Sequence, residues 1–280
     1  MQIIQTVAEL RAWSREFHRS GKTVGLVPTM GALHEGHLSL VRTAKAACDG
    51  VAVSIFVNPT QFGPNEDFAL YPRTFDADCT LLKAEGVNAV FAPAPEEIYQ
   101  SGASTFVEVA GLSDRLDGAS RPGHFRGVAT VVAKLLIAAE PGRAFFGQKD
   151  AAQVAVLRRM TADLGLPVEL VICPIVRERD GLAMSSRNRY LSAAERRQAL
   201  VLHRALNAVD ALVATGERSS EALIAAAHAN FATEPSVRVD YIAAVDWATL
   251  EPVQEARPGT LIAVAAFVGT TRLIDNLVVE

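Results

Sequence analysis

Cysteine is scarce in this chain, with three in 280 residues, Cys48, Cys79 and Cys173. They are far apart, odd in number and free of any C-x-x-C pairing. That excludes a disulfide framework and a thiolate metal or redox pair, and it fits a reducing compartment. No block of like charge is present and the formal net charge is −4. Nothing therefore marks a nucleic-acid or membrane-surface partner. No apolar run reaches the roughly 18–20 residues that span a bilayer. Met1-Gln2-Ile3-Ile4 lacks the basic-then-apolar pattern of a secretory leader. A soluble cytoplasmic protein is the expectation. Lysine is sparse as well: only five of the 27 basic residues are lysines.

What the chain does have is apolar content, 50% of its residues, enough for a well-buried core. Its length suits one large domain or two smaller ones. Short apolar runs at 24–28, 51–57, 88–92, 144–146 and 168–174 predict buried strands. Helical patterns at 38–48, 76–85, 128–139 and 151–164 lie between them. This alternation predicts an α/β domain with a mostly parallel sheet and helices on both faces. In such folds ligands bind at the strand C-termini. After Ile175 the texture changes. Helices are expected at 193–214 and 220–231, then two or three strands at 237–245, 261–267 and 271–274. That order predicts a smaller α+β domain, with the division placed as 1–176 and 177–280.

The most informative stretch is Pro28-Thr29-Met30-Gly31-Ala32-Leu33-His34-Glu35-Gly36-His37-Leu38. It reads as strand, glycine-bearing turn and helix, an arrangement that presents backbone N–H groups and imidazoles to a phosphate. A zinc reading of His34 and His37 fails on spacing. Zinc protease helices carry their histidines at i, i+4, and these are at i, i+3 around Gly36. The bland alternative is two histidines satisfied by local hydrogen bonds at a helix start.

Four further motifs sit at predicted strand ends or junctions. Asn58 and Gln61, in Phe56-Val57-Asn58-Pro59-Thr60-Gln61-Phe62, follow the second strong strand, although Asn-Pro alone also marks a turn. Arg121-Pro122-Gly123-His124-Phe125-Arg126-Gly127 is either an anion-handling loop or a solvated basic one. Phe146-Gly147-Gln148-Lys149-Asp150 leads from strand to helix, with Gln153 one turn on. Asp150 there is equally a helix cap. Met184-Ser185-Ser186-Arg187-Asn188 lies at the predicted domain junction. It reads as a triphosphate grip on a closing lid, or as a polar linker before a cap at Ser192.

Taken together and in order, these motifs resemble the pantothenate synthetase family of the nucleotidylyltransferase superfamily. That superfamily shares its His-x-Gly-His signature, here His34-Glu35-Gly36-His37, with class I aminoacyl-tRNA synthetases. Tyr71-Pro72-Arg73-Thr74 belongs to the same match, which runs over nearly the whole chain up to Asn188. The resemblance implies a Rossmann-like catalytic domain followed by a smaller α+β lid domain. It implies a C–N bond-forming ligase that makes pantoyl adenylate from ATP and (R)-pantoate, releasing pyrophosphate. β-Alanine then displaces AMP to give pantothenate. By the same resemblance Met30, Gly31, Ala32, Leu33, His34, Glu35, Gly36 and His37 line the ATP site. Gly147, Gln148, Lys149, Asp150, Val176, Met184, Ser185, Ser186 and Arg187 complete it. His37, His34 and Lys149 carry the catalytic expectation. Gln61, Gln153 and Asn58 are expected on pantoate and β-alanine. Magnesium is expected with ATP and Asp78 near it; position 77, acidic in some members, is Ala77. The family implies a homodimer. The leading alternative is a nucleotidylyltransferase that moves AMP onto a phosphorylated acceptor. The neutral amides of Gln61 and Gln153 suit a hydroxy acid better.

Overall fold

The computed structural model describes residues 1–64 and 66–280. By its internal contacts the chain divides into two compact units. The first holds residues 1–147 and 156–173; the second holds 148–155 and 174–280.

The first unit is an α/β sheet of six strands in the order β1-β4-β3-β2-β5-β6, every pairing parallel. The strands are β1 (Gln2–Ile4), β2 (Val24–Thr29), β3 (Gly50–Ile55), β4 (Ala89–Phe91), β5 (Arg143–Gly147) and β6 (Glu169–Cys173). The inner strands β2 and β3 are buried along almost their whole length. That is why they read as continuous apolar runs rather than as alternations. The strand order reverses between β2 and β5, so their C-terminal ends form the switch point where a doubly wound sheet opens a crevice.

Helices α1 (Val7–Arg19), α2 (Glu35–Ala47), α3 (Phe75–Ala84) and α6 (His124–Ala139) cover this sheet, with short turns α4 (Pro95–Ile98) and α5 (Asp117–Ser120). β1, α1, α4 and α5 were not expected from the sequence. β1 is a three-residue edge strand, too short for a pattern. α1 carries a full capping box, in which the Thr6 side chain accepts from the Glu9 amide and Glu9 answers the Thr6 amide. The other starts differ by a few residues. α2 begins at Glu35 rather than 38, which brings His37 into its first turn. α6 begins at His124 rather than 128, behind Gly123 in the left-handed region (φ 82°). Valines 27, 41, 53 and 90, with Leu38, Leu82 and Phe145, form a buried cluster of this unit.

Helix α7 (Ala151–Asp163) follows β5 and runs across the division. The second unit otherwise contains α8 (Ala193–Ala214), α9 (Ser220–Phe231) and an antiparallel sheet β7-β8-β9. Those strands are Val237–Asp246, Thr260–Val268 and Thr271–Val278. Leu202, Leu206, Leu223 and Phe231 pack on Ile262, Val264 and Val268 as its core. β9 runs four residues beyond the expected end at Ile274, because Asp275 and Asn276 are polar yet buried. The long stretch of the second unit begins at Pro174, and Gln148–Ala155 belong to it as well.

Candidate active site

The turn after β2 is shaped by two consecutive left-handed residues, Gly31 (φ 80°) and Ala32 (φ 51°). A side chain at position 31 would press on the Asp78 carboxylate at 3.0 Å and on Ile55 at 3.1 Å, so glycine is required there. Ala32 bears a left-handed strain of roughly 1–2 kcal/mol. Something must offset that strain, and Asp78 does. Its carboxylate is 1% exposed. It accepts from the Ala32 amide at 3.0 Å and the Leu33 amide at 2.9 Å. The Thr74 hydroxyl donates to both of its oxygens. On the other flank the Thr29 hydroxyl accepts from the Gly31 amide and donates to the Ser54 carbonyl.

From this turn the chain enters α2 with His34 as N-cap. His34 Nδ1 accepts from the Gly36 amide at 3.1 Å. His37 Nδ1 accepts from the His34 amide at 3.4 Å. The two rings lie 4.1 Å apart, tilted by 34°. An Nδ1 that accepts a backbone N–H cannot itself be protonated, so the neutral tautomer of each ring carries its proton on Nε2. The helix N-terminus therefore presents a pair of imidazole donors beside its own positive dipole end, an anion-binding arrangement. The Glu35 carboxylate turns away to Arg42, which also pairs with Glu85.

Past β3, Asn58 caps the short 3₁₀ turn Pro59–Gln61. Asn58 is 1% exposed, and its amide donates to Gln61 Oε1 at 3.1 Å and to the Gly127 carbonyl at 3.2 Å. Gly127 lets α6 approach this closely: a Cβ there would run into the Thr60 carbonyl. The Gln61 carbonyl accepts from His124 Nδ1 at 2.8 Å and from Arg121 at 3.3 Å. The Gln61 side chain points its Nε2 at Met30 Sδ, 3.1 Å away. Burial, with Arg121 beside it, pushes the His124 imidazole down to about 4. It is therefore a neutral ring near pH 7, donating through Nδ1 and accepting from Arg121 through Nε2. Burial alone would raise the Glu66 carboxyl, but the Arg121 hydrogen bonds outweigh it and hold Glu66 below its usual range. The 121–127 motif is thus a built wall and not a solvated loop.

Gly147 ends β5 in the first unit, and the remaining expected residues lie in the second. Gln148, Lys149 and Asp150 form one 3₁₀ turn, with Lys149 Nζ 3.9 Å from Asp150. Asn276, 3% exposed, donates to the carbonyls of Gln148 and Lys149 and accepts from the Gln148 side-chain amide. Trp247 Nε1 donates to the Ala151 carbonyl at 2.9 Å. Gln153 is the third residue of α7, within its first turn, and is half-buried. The Val176 carbonyl accepts from the Met184 amide, closing a hairpin that turns at Gly181 (φ 95°). Ser185 caps the 3₁₀ turn that carries Ser186 and Arg187. Arg177 and buried Asp275 pair at 2.6 and 3.0 Å, while Arg196 bridges Glu178 and Asp180. Arg196 holds the Glu178 carboxyl below its ordinary value. Asn276, Trp247, Asp275 and Arg177 were not picked out from the sequence. The only signal was a pair of polar residues interrupting an apolar strand.

A sequence model described as pantoate-beta-alanine ligase matches residues 2–278. The chain belongs to the pantoate–beta-alanine ligase family. A pantothenate synthetase of Acidobacterium capsulatum is 62% identical, over 99% of this chain and 96% of that protein. The crystal structure of pantothenate synthetase from Thermus thermophilus superposes with a TM-score of 0.95 at 48% identity, covering 100% of both chains. The pantoate-beta-alanine ligase of Francisella tularensis, complexed with beta-gamma ATP and beta-alanine, superposes with a TM-score of 0.81 at 32% identity, covering 99% and 97%. The chain is accordingly a ligase, and the alternative of AMP transfer to a phosphorylated acceptor is not favoured.

Asp78 does not fit the magnesium role expected of it. Both of its oxygens are committed to the turn. Among the described residues no group of three or more His, Cys, Asp or Glu side chains is arranged to hold a metal ion. Asp78→Asn places an NH₂ against a backbone N–H, leaving a buried donor unpaired at about 1–3 kcal/mol. We expect it to lower the melting temperature and the rate of ATP-dependent turnover together. A thermal melt and a steady-state assay on the same sample check this; an unchanged rate with a normal melt contradicts the turn-holding role.

Proposed function

We infer that the chain condenses (R)-pantoate with β-alanine in two steps, and that the α2 N-terminus is where ATP is activated. The observation that carries this is the pair of Nε2 donors on His34 and His37 at the sheet's switch point, in a chain of this family. A carboxylate is a poor acylating agent. In the first step a pantoate carboxylate oxygen attacks the α-phosphorus, and the bond to the bridging oxygen breaks. Pyrophosphate leaves. Negative charge builds on the phosphate oxygens, where donors and a helix N-terminus stabilise it more than they stabilise bound ATP. In the second step the neutral amine of β-alanine attacks the acyl carbon, AMP departs and the amine loses a proton.

In this reading His37 and His34 act on the phosphates through their Nε2 donors. Met30 to Gly36 form the surrounding turn. Gln61 is a donor to pantoate and Asn58 sets it; Gln153 is assigned to the same substrate. Gly147, Gln148, Lys149 and Asp150 are assigned to ATP, with Lys149 on phosphate, and Val176 to adenine through its backbone. Met184, Ser185, Ser186 and Arg187 are assigned to the triphosphate. Magnesium, when present, is assigned to the nucleotide's own phosphates and to no side chain of this protein. The three thiols are free, which supports a reducing, cytoplasmic setting. The homodimeric state is carried by the family resemblance.

Exchange of labelled pyrophosphate into ATP tests the adenylation step. It should require pantoate and proceed without β-alanine. In His37→Ala the exchange rate should fall by roughly 10²-fold, the scale of losing one charge-stabilising donor, with a much smaller change in the KM for ATP. Exchange independent of pantoate contradicts the function, and equal losses in both constants make His37 a ground-state contact.

A further inference from the structure

We propose that Tyr99 is a positioning residue: it anchors the Asn58 carboxamide, and through it the Gln61 carboxamide, so that Gln61 is held to meet the substrate as an N–H donor. This rests on the assignment of Gln61 to pantoate. Tyr99 stands just beyond α4, far from every motif in sequence, yet its hydroxyl donates to Asn58 Oδ1 at 2.8 Å. The Thr60 hydroxyl donates to the same oxygen at 3.0 Å and lies 3.0 Å from the Tyr99 hydroxyl. A weaker contact from the Thr60 amide reaches it at 3.4 Å.

An amide side chain has two faces of similar shape and opposite chemistry, so its orientation follows from partners that work only one way. The Gly127 carbonyl can only accept, and it takes the Asn58 Nδ2 proton. On the opposite face the Thr60 amide can only donate, which makes Oδ1 the acceptor, and the Tyr99 hydroxyl adds the shortest bond to that oxygen and holds it in place. The second Asn58 N–H then points at Gln61 and demands the oxygen of that carboxamide. Gln61 Nε2 is left on the far side, against Met30 Sδ. A thioether is a weak acceptor. A carboxylate or hydroxyl oxygen in its place forms a stronger bond, so the unliganded arrangement already points a donor where an oxygen-rich substrate gains most.

Tyr99 is suited to this task. Burial raises its phenol above the ordinary value, which keeps the proton on the oxygen. Its ring is fixed by Phe56, 6.4 Å away, and by the Lys134 ammonium over its face at 5.7 Å. Tyr99→Phe preserves those ring contacts and deletes only the donor.

The test measures KM for pantoate and for ATP in Tyr99→Phe, Gln61→Ala and the double variant of the full chain. Tyr99→Phe should raise the KM for pantoate by about 3- to 10-fold, the scale of one neutral hydrogen bond, and leave the KM for ATP unchanged. On the Gln61→Ala background the same change should have no further effect, since there is no carboxamide left to orient. A purely structural tyrosine would instead give the same loss in both backgrounds, and that result overturns the proposal. So does an unchanged pantoate KM in Tyr99→Phe when Gln61→Ala raises it. If Gln61→Ala itself leaves the pantoate KM unchanged, the assignment of Gln61 fails, and the role of Tyr99 falls with it.

Discussion

The Asp78 carboxylate, bound to the Ala32 and Leu33 amides, is the contact on which the histidine-bearing end of the first unit depends. Two successive left-handed residues are not a conformation that a chain adopts unaided. A buried anion with two backbone donors and a threonine hydroxyl supplies the reason to adopt it. Once the turn is set, α2 starts at Glu35, and the spacing of three places His34 and His37 beside each other. Each histidine then takes a backbone amide on Nδ1. The same hydrogen bonds that satisfy the helix start also choose the tautomer. Local capping, the bland reading of the pair, is what the structure shows, and the same bonds leave Nε2 as the protonated nitrogen that the proposed chemistry needs.

A comparable logic runs through the Asn58–Gln61 corner. There the backbone of Gln61 is gripped by neutral His124 and by Arg121, while its side chain is oriented through Asn58. Gly127 allows the approach, and Glu66 balances the Arg121 charge. In the second unit the Gln148–Asp150 turn is tied by Asn276, and the 176–184 hairpin by Arg177, Asp275 and Arg196. The 31–33 turn, Gln61 and the Gln148–Asp150 turn are each held by a buried polar side chain of their own unit, Asp78, Asn58 and Asn276 respectively. This is the support that a preorganised site requires.

The legible part of this protein was the part with a short-range signature. Apolar runs located β2 to β6 to within about two residues, because parallel inner strands are buried on both faces. The histidine signature, Asn58, Gln61 and the serine–arginine loop sit at element ends, where local patterns change. The parts that were not legible are held by long-range pairings. Asp78 reads as one more acidic residue early in a helix, and only the fold shows that its partners are amides 45 and 46 positions away. Tyr99 reaches Asn58 across 41 positions. Asp275 and Asn276 hid the true length of β9 because burial of polar groups runs against the strand pattern, and they are the anchors of the second unit. α1 is the exception: its Thr6–Glu9 capping box is a short-range signature that the sequence itself carries.

The most direct test of the central claim is the protonation of the His34 and His37 rings. Nitrogen-15 shifts and two-bond couplings distinguish the two neutral tautomers in ligand-free protein at mildly alkaline pH, with His34→Gln and His37→Gln spectra giving the assignments. The account predicts a protonated Nε2 and a bare Nδ1 in both rings. A proton on Nδ1 of either ring would mean that the amides of Gly36 or His34 are not bound there, and that the turn does not set the donors.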